Sequence, residues 1–218
     1  MEKLIYKIAM YKSKKYLINK YSLDWYQKFC KESKKCLYEI LPKVPDIGKS
    51  IFSFNYKFAP SYIAWYLTLE KMGISNDEIT QIIWKLNEQM VHIVPAFLMH
   101  KVGKLYFSSF RKKAGQHVRK QETVGVHPYD WQIEYRNVND NCFEIDIKEC
   151  GIKKLAADFY AEGLLPGICR MDYLFANIMN NGFERTKALG DGGECCNCRY
   201  FLEGSCDWSP EKGFVDRK

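Results

Sequence analysis

The chain has 218 residues, 47% hydrophobic and 15% aromatic, enough apolar material for a packed core and too much for a disordered chain. Its formal net charge of +7 comes largely from short Lys/Arg clusters at 12–15, 31–35 and 111–120, which read as solvated helix faces; no nucleic-acid-reading motif accompanies them. No apolar run reaches the roughly 18 residues of a transmembrane helix, and Lys3 and Lys7 break the N-terminal run a signal peptide needs.

In chain order, Leu4, Ile5, Ile8, Tyr11, Leu17 and Ile18 follow a helical period, and Ser22 or Asp24 is placed to cap a second helix running to Pro42. Residues 44–50, with Pro45 and Gly48, form a connector. Ala59-Pro60 predicts a helix start, continued by Tyr62, Trp65, Tyr66 and Leu69 to a stop at Gly73. Ser75-Asn76-Asp77-Glu78 is a capping box, opening a helix through Ile79, Ile82, Ile83, Leu86, Met90 and Ile93. Pro95 kinks or restarts it, and helix continues to about Lys120. Trp65, Trp84, Phe97 and Phe107 are expected in the core or between lobes.

From Val124 the period changes from helix to strand. Residues 131–135 and 142–147 alternate apolar and polar around an Asn-rich loop at 137–141, which predicts a hairpin. Residues 153–162 read as helix, Leu165-Pro166-Gly167 as an interruption, and 168–179 as helix again. Asn181-Gly182 is a turn, and 183–189 and 197–202 are two further strands around Gly192-Gly193. The fold class is therefore α+β: a helical N-terminal lobe over 1–123, then an antiparallel sheet lobe over 124–218 with helices on one side.

The chemistry-bearing residues concentrate late in the chain. Nine cysteines, an odd number, read as thiols, ligands or nucleophiles in a reducing cytoplasm rather than as disulfides. A helix restarting at Pro166 would place Cys169 in its first turn, where the macrodipole favours a thiolate, with Asp172 on the same face. The bland alternative makes Cys169 a small buried hydrophobe and Asp172 a structural partner. Cys195, Cys196, Cys198 and Cys206 invite a zinc or iron–sulfur reading, but the spacing departs from the usual C-x2-C knuckle; no cofactor is expected. Cys196 and Cys198 would share a strand face. His92, His100, His117 and His127 read as structural or solvated. No phosphate loop, G-x-S-x-G elbow or H-E-x-x-H occurs.

Cys150-Gly151-Ile152, then Leu164-Leu165-Pro166 with Cys169 and Asp172, then Arg185-Thr186, Leu189, Gly192, Cys196 and Arg199 resemble the C-terminal signature of the L-2-amino-thiazoline-4-carboxylic acid hydrolase family. Tyr62, Trp65-Tyr66, Leu69, Gly73 and Val94-Pro95 resemble its helical half. The chain departs at Ala188, where the family often has Thr, and at Cys196-Asn197-Cys198, where Cys-Asp-Phe is common. The resemblance implies hydrolytic opening of a cyclic amidine-like ring in a small amino-acid-derived substrate, giving a carbamoyl-cysteine product. It implies Cys169 or Cys196 as nucleophile or metal ligand, Asp172 for proton transfer or orientation, and Arg185 on a substrate carboxylate. Thr186 and Arg199 would add to substrate binding, and the Gly192 and Gly193 amides would stabilise negative charge. A homodimer is compatible with this reading. The chain's end also looks like small-molecule-binding domains of the 4-vinyl reductase type, which would make the protein a non-enzymatic sensor; a metal-cluster protein is the third reading.

Overall fold

In a computed structural model, residues 2–91, 96–206 and 208 are described, with the side chains of 96 and 97 outside that set. The helical half comprises α1 (Glu2–Lys20), α2 (Leu23–Ile40), α3 (Ser53–Lys71), α4 (Asn76–Val91) and α5 (Ala96–Thr123). Strands β1 (Gln132–Asn139) and β2 (Cys142–Glu149) follow, then α6 (Gly151–Asp158), α7 (Leu165–Cys169), α8 (Met171–Met179), β3 (Gly182–Glu184) and β4 (Cys196–Phe201). The α+β class stands, with the helices first and an antiparallel sheet after them. Among the described residues no helix is long and apolar enough to cross a membrane.

Local chemistry sets the helix ends. Ser22 caps α2, its side chain accepting from the Trp25 amide at 3.1 Å. Gly73, at φ +82°, ends α3 in a Schellman motif: its amide bonds to the Glu70 carbonyl and that of Ile74 to Leu69. Ser75 takes the Glu78 amide at 3.4 Å, but the other half of the capping box goes elsewhere. The Glu78 carboxylate accepts from the Tyr21 hydroxyl at 2.7 Å and pairs with Lys20 at 3.0 Å, which ties α4 to the end of α1.

Four expectations are corrected. Pro60 lies inside α3, which begins seven residues earlier at Ser53; the preceding turns are held by Phe52 and Tyr56 packing on Trp131 at 4.9 and 6.1 Å, and this packing outweighs the lost backbone bond. Leu165–Cys169 is itself a short helix, and the break falls at Arg170. The strand expected over 183–189 stops at Glu184, because beyond it the chain turns inward at Arg185. The turn before it also falls one residue early, on Asn180 at φ +57°. Gly182 belongs to the strand, where a Cβ would sit 3.0 Å from that of Phe201. Ile93, His92, Val94 and Pro95 lie outside the described residues.

The sheet order is β1-β2-β4-β3, each neighbour antiparallel. Register pairs Ile145 with Cys198 and Ile147 with Cys196, while Tyr200 pairs with both Phe143 and Phe183. Period-2 alternation therefore gathers these residues on the inner face. There α5 covers the sheet through Phe107 and Phe110, whose rings lie 5.0 and 5.9 Å from Phe143. The outer face carries Arg136, Glu144, Asp146 and Arg199. Arg136 contacts Glu144 and Asp146 at 2.9 Å each, and Arg199 reaches Glu144 at 3.2 Å. One apolar core runs continuously from α1 to β4, with Trp65, Trp84 and Phe107 inside it; Phe97 falls outside the described side chains.

Candidate active site

Between the helical layer and the inner face of the sheet lies a cavity of about 300 Å³. Its walls are mostly aromatic and aliphatic, and Cys150, Cys169, Asp172, Arg185 and Cys196 converge on it together with Tyr62 and Asn87. A concave apolar space with a few convergent polar groups has the form of a small-molecule site.

Asp172 is the second residue of α8, where the first-turn amides favour a carboxylate. Its Oδ2 accepts from Arg185 Nη1 at 2.6 Å. Arg185, with its side chain 2% exposed, also donates through Nη2 to the Cys169 carbonyl at the end of α7, and its guanidinium lies 5.4 and 5.3 Å from the Tyr173 and Phe183 rings. The Tyr173 hydroxyl in turn donates to the Arg185 carbonyl at 3.0 Å. Arg185 is therefore fixed at both backbone and side chain. Burial pulls its pKa down, and the Asp172 carboxylate with the thiols of Cys198, Cys169 and Cys196 more than reverses that, holding it well above the usual value.

Cys169 ends the five-residue α7 instead of opening a helix, so the macrodipole argument for a thiolate there does not apply. Its thiol instead packs on Gly190, where an added Cβ would come 2.5 Å from Sγ. Cys196, 5% exposed, accepts the Leu189 amide at 3.2 Å. Leu189 opens the 3-10 turn Leu189–Asp191, which is pinned by the wholly buried Arg170 donating to Asp191 at 2.7 Å. The Leu189 amide is thus a backbone donor aimed at this sulfur. Burial pushes the Cys150 thiol up to about 11, with the Cys196 and Asp172 charges adding to it and the Lys153 and Ile152 amides opposing. Burial also drives Cys198 far upward, only partly offset by Arg185. Both are protonated thiols at neutral pH.

The other sequence candidates lie elsewhere. Thr186 and Arg199 border a shallow hollow of about 250 Å³ on the outer face of the sheet. The Gly192 and Gly193 amides bond to the Leu189 and Ala188 carbonyls at 3.4 and 2.9 Å and are used inside the turn, which Gly192 makes at φ +82°. Cys196 and Cys198 do share a face, as the strand pattern predicts. Among the described residues no three His, Cys, Asp or Glu side chains are grouped so as to hold a metal ion. His117 bonds to the Trp131 carbonyl at 2.9 Å and His127 accepts the Tyr129 amide at 3.1 Å, both structural contacts.

The sequence reading missed Tyr62, Asn87, Arg170 and the role of Asn197. Asn87 had a usable signal: it lies four residues from both Ile83 and Val91, on the apolar face of α4. Arg170 had none, since a buried arginine is recognised only by its partner.

The fold and the cavity define an α+β protein with a partly open apolar cavity lined by thiols and a carboxylate–guanidinium pair. The model of the L-2-amino-thiazoline-4-carboxylic acid hydrolase family matches residues 55–200, more than half of the chain, and the chain belongs to that family. No curated protein and no solved structure matches it.

Proposed function

We propose that the protein is a hydrolase that opens a cyclic amidine-like ring by breaking a carbon–nitrogen or carbon–sulfur bond other than a peptide bond. The observation that carries this reading is the convergence of Cys196, Cys169, Asp172 and Arg185 on one cavity, in a chain of this family. A sensor or binding module would need no such convergence.

The chemistry follows from the placement. The Cys196 thiolate, supported by the Leu189 amide, adds to the electrophilic ring carbon and forms a carbon–sulfur bond. The ring bond then breaks, and the leaving nitrogen or sulfur takes the proton that Cys196 gave to the Asp172 carboxylate on forming its thiolate, the carboxylate being oriented by Arg185. Water adds to the enzyme-bound carbon as its proton passes to the Asp172 carboxylate, and the adduct collapses, expelling the Cys196 thiolate, which takes that proton back. One water is consumed and a carbamoyl product leaves. Arg185 acts here by orienting Asp172, since Nη1 and Nη2 are both engaged.

The test is turnover of 2-amino-thiazoline-4-carboxylate and related cyclic amidines by the reduced protein, with metal content measured on the same sample. Cys196→Ser is expected to lose at least about 100-fold in kcat/KM. Full turnover by that variant would remove Cys196 from the mechanism, and no turnover of any such ring by the wild type would leave a binding module as the better reading.

A further inference from the structure

The hydrolytic chemistry uses one cavity, but a second of about 320 Å³ adjoins it. The two share Phe52, Phe54, Asn55, Asp172, Phe175 and Tyr200 as walls. Cys196, Cys169 and Arg185 line the first cavity and not the second, so bond-making belongs to the first. That cavity has room for a five-membered ring with its carboxylate. A bare ring leaves the second empty.

The further walls of the second cavity are largely aromatic, with Tyr106, Phe107, Phe110, Phe143 and Phe201 among them. Its polar members do not compete for a ligand inside. Asn55, Ser109 and Lys113 are exposed, and Asn181 already donates to the Leu202 carbonyl at 2.6 Å. Water in such a space finds few partners, so an apolar group that displaces it gains binding free energy. Asp172 stands at the junction and is the one acidic side chain among the described residues of either wall. Its Oδ2 accepts from Arg185, and the side chain is 39% exposed, which leaves the other carboxylate oxygen for a ligand N–H. The amidine is the basic, N–H-bearing end of a cyclic amidine acid, so it is the end that Asp172 draws to the junction. A substituent on that exocyclic nitrogen points away from the ring and into the aromatic space.

We propose that the substrate of this protein is a cyclic amidine carboxylate bearing an apolar, ring-sized substituent on its amidine nitrogen, seated in the aromatic cavity beyond Asp172 while the ring lies against Cys196. This rests on the hydrolase reading and deepens it, and binding is measured apart from turnover so that the two fail separately. Calorimetry on the full chain compares 2-amino-thiazoline-4-carboxylate with 2-benzylamino-thiazoline-4-carboxylate, while product analysis runs in parallel. The benzyl compound is expected to bind at least about ten-fold more tightly. Ser109→Trp and Ala176→Leu add bulk to the wall of the second cavity and not of the first. Each, checked for an intact melting transition, is expected to erase the benzyl advantage and to keep affinity for the unsubstituted acid within about two-fold of wild type. Equal or weaker binding of the benzyl compound by the wild type, binding of neither probe, or a benzyl advantage that survives in the folded variants overturns the proposal. Ring opening of the unsubstituted acid with no gain from the benzyl group sinks the proposal and leaves the hydrolase reading standing. A benzyl compound that binds tightly and is not opened counts against the hydrolase reading and leaves the ligand preference standing.

Discussion

The two faces of β4 carry the same kinds of residue in opposite conditions. Inward, Cys196, Cys198 and Tyr200 alternate beneath the helices, beside an Arg185–Asp172 pair whose guanidinium is almost wholly buried. Outward, Asn197 and Arg199 sit with Arg136, Glu144 and Asp146 in a network whose Arg136 side chain is half exposed. The lesson is that a signature of ionic and thiol residues is not yet a site. The dielectric on each side decides which charges are held rigidly and which are screened.

Breaking one ion pair on each face gives the largest contrast. Arg185→Met removes the cation and leaves Asp172 facing the cavity without its partner. The cost of breaking a buried pair is about 3–5 kcal/mol; because the Asp172 side chain is 39% exposed, a value near the lower end, ~3 kcal/mol, is expected. Arg136→Met on the outer face is expected to cost about 1 kcal/mol or less. Urea unfolding of both variants measures the difference. Equal losses would mean that water reaches the inner pair as freely as the outer one.

The alkaline limb of stability sharpens the same contrast. The folded-state pKa of Cys150 is raised from 9.0 to about 11, so the native state keeps its proton while the unfolded thiol ionises. The stabilisation is fully present below pH 9 and is lost as pH rises to about 11, a change on the order of 2 kcal/mol at most. Cys150→Ala is expected to flatten part of the fall in melting temperature across that window, measured by thermal scans from pH 8 to 11. An unchanged slope would place the loss on the buried tyrosines and Cys198 instead.

A smaller effect separates packing from backbone conformation within one turn. Gly190→Ala drives a methyl to within 2.5 Å of Cys169 Sγ and 3.1 Å of Leu165 Cβ, an overpacking expected to cost about 2 kcal/mol. It would also displace the Cys169 thiol, visible as altered alkylation. Gly192→Ala meets open space but sits at φ +82°, so about 1 kcal/mol of strain is expected, with thiol reactivity unchanged.

How much of this could be read beforehand follows from which interactions are local. Ser22, Gly73 and Ser75 announce helix ends because caps act within a few residues, and the hairpin shows in the alternation of Ile133, Ile145 and Ile147. Cys169, Asp172, Arg185 and Cys196 were readable as a group from the family pattern, and the structure brings them to one cavity. What could not be read is long-range: that Arg185 pairs with Asp172, that Arg170 pins Asp191, and that Pro60 is carried inside α3 by aromatic packing on Trp131. The Gly192-Gly193 amides were misjudged because glycine signals a turn without saying whether its amides are already bonded.

The smallest effect belongs to Asn197, on the outer face yet tied to the inner chemistry. Its Oδ1 accepts the Thr186 and Lys187 amides at 3.1 and 2.6 Å, and Nδ2 donates to Thr186 Oγ1 at 2.8 Å. These bonds hold the segment that leads from Arg185 to the Leu189 amide on Cys196. Asn197→Ala is expected to cost about 1 kcal/mol, since the bonds are solvent-exposed, and to lower turnover several-fold by loosening that amide. Asn197→Asp is expected to retain both stability and turnover: a carboxylate accepts both amides, and the Thr186 hydroxyl can reverse its role and donate. Melting curves and turnover of the two variants check this, and an Asp variant as impaired as Ala would mean that the clamp depends on the amide donor at Nδ2.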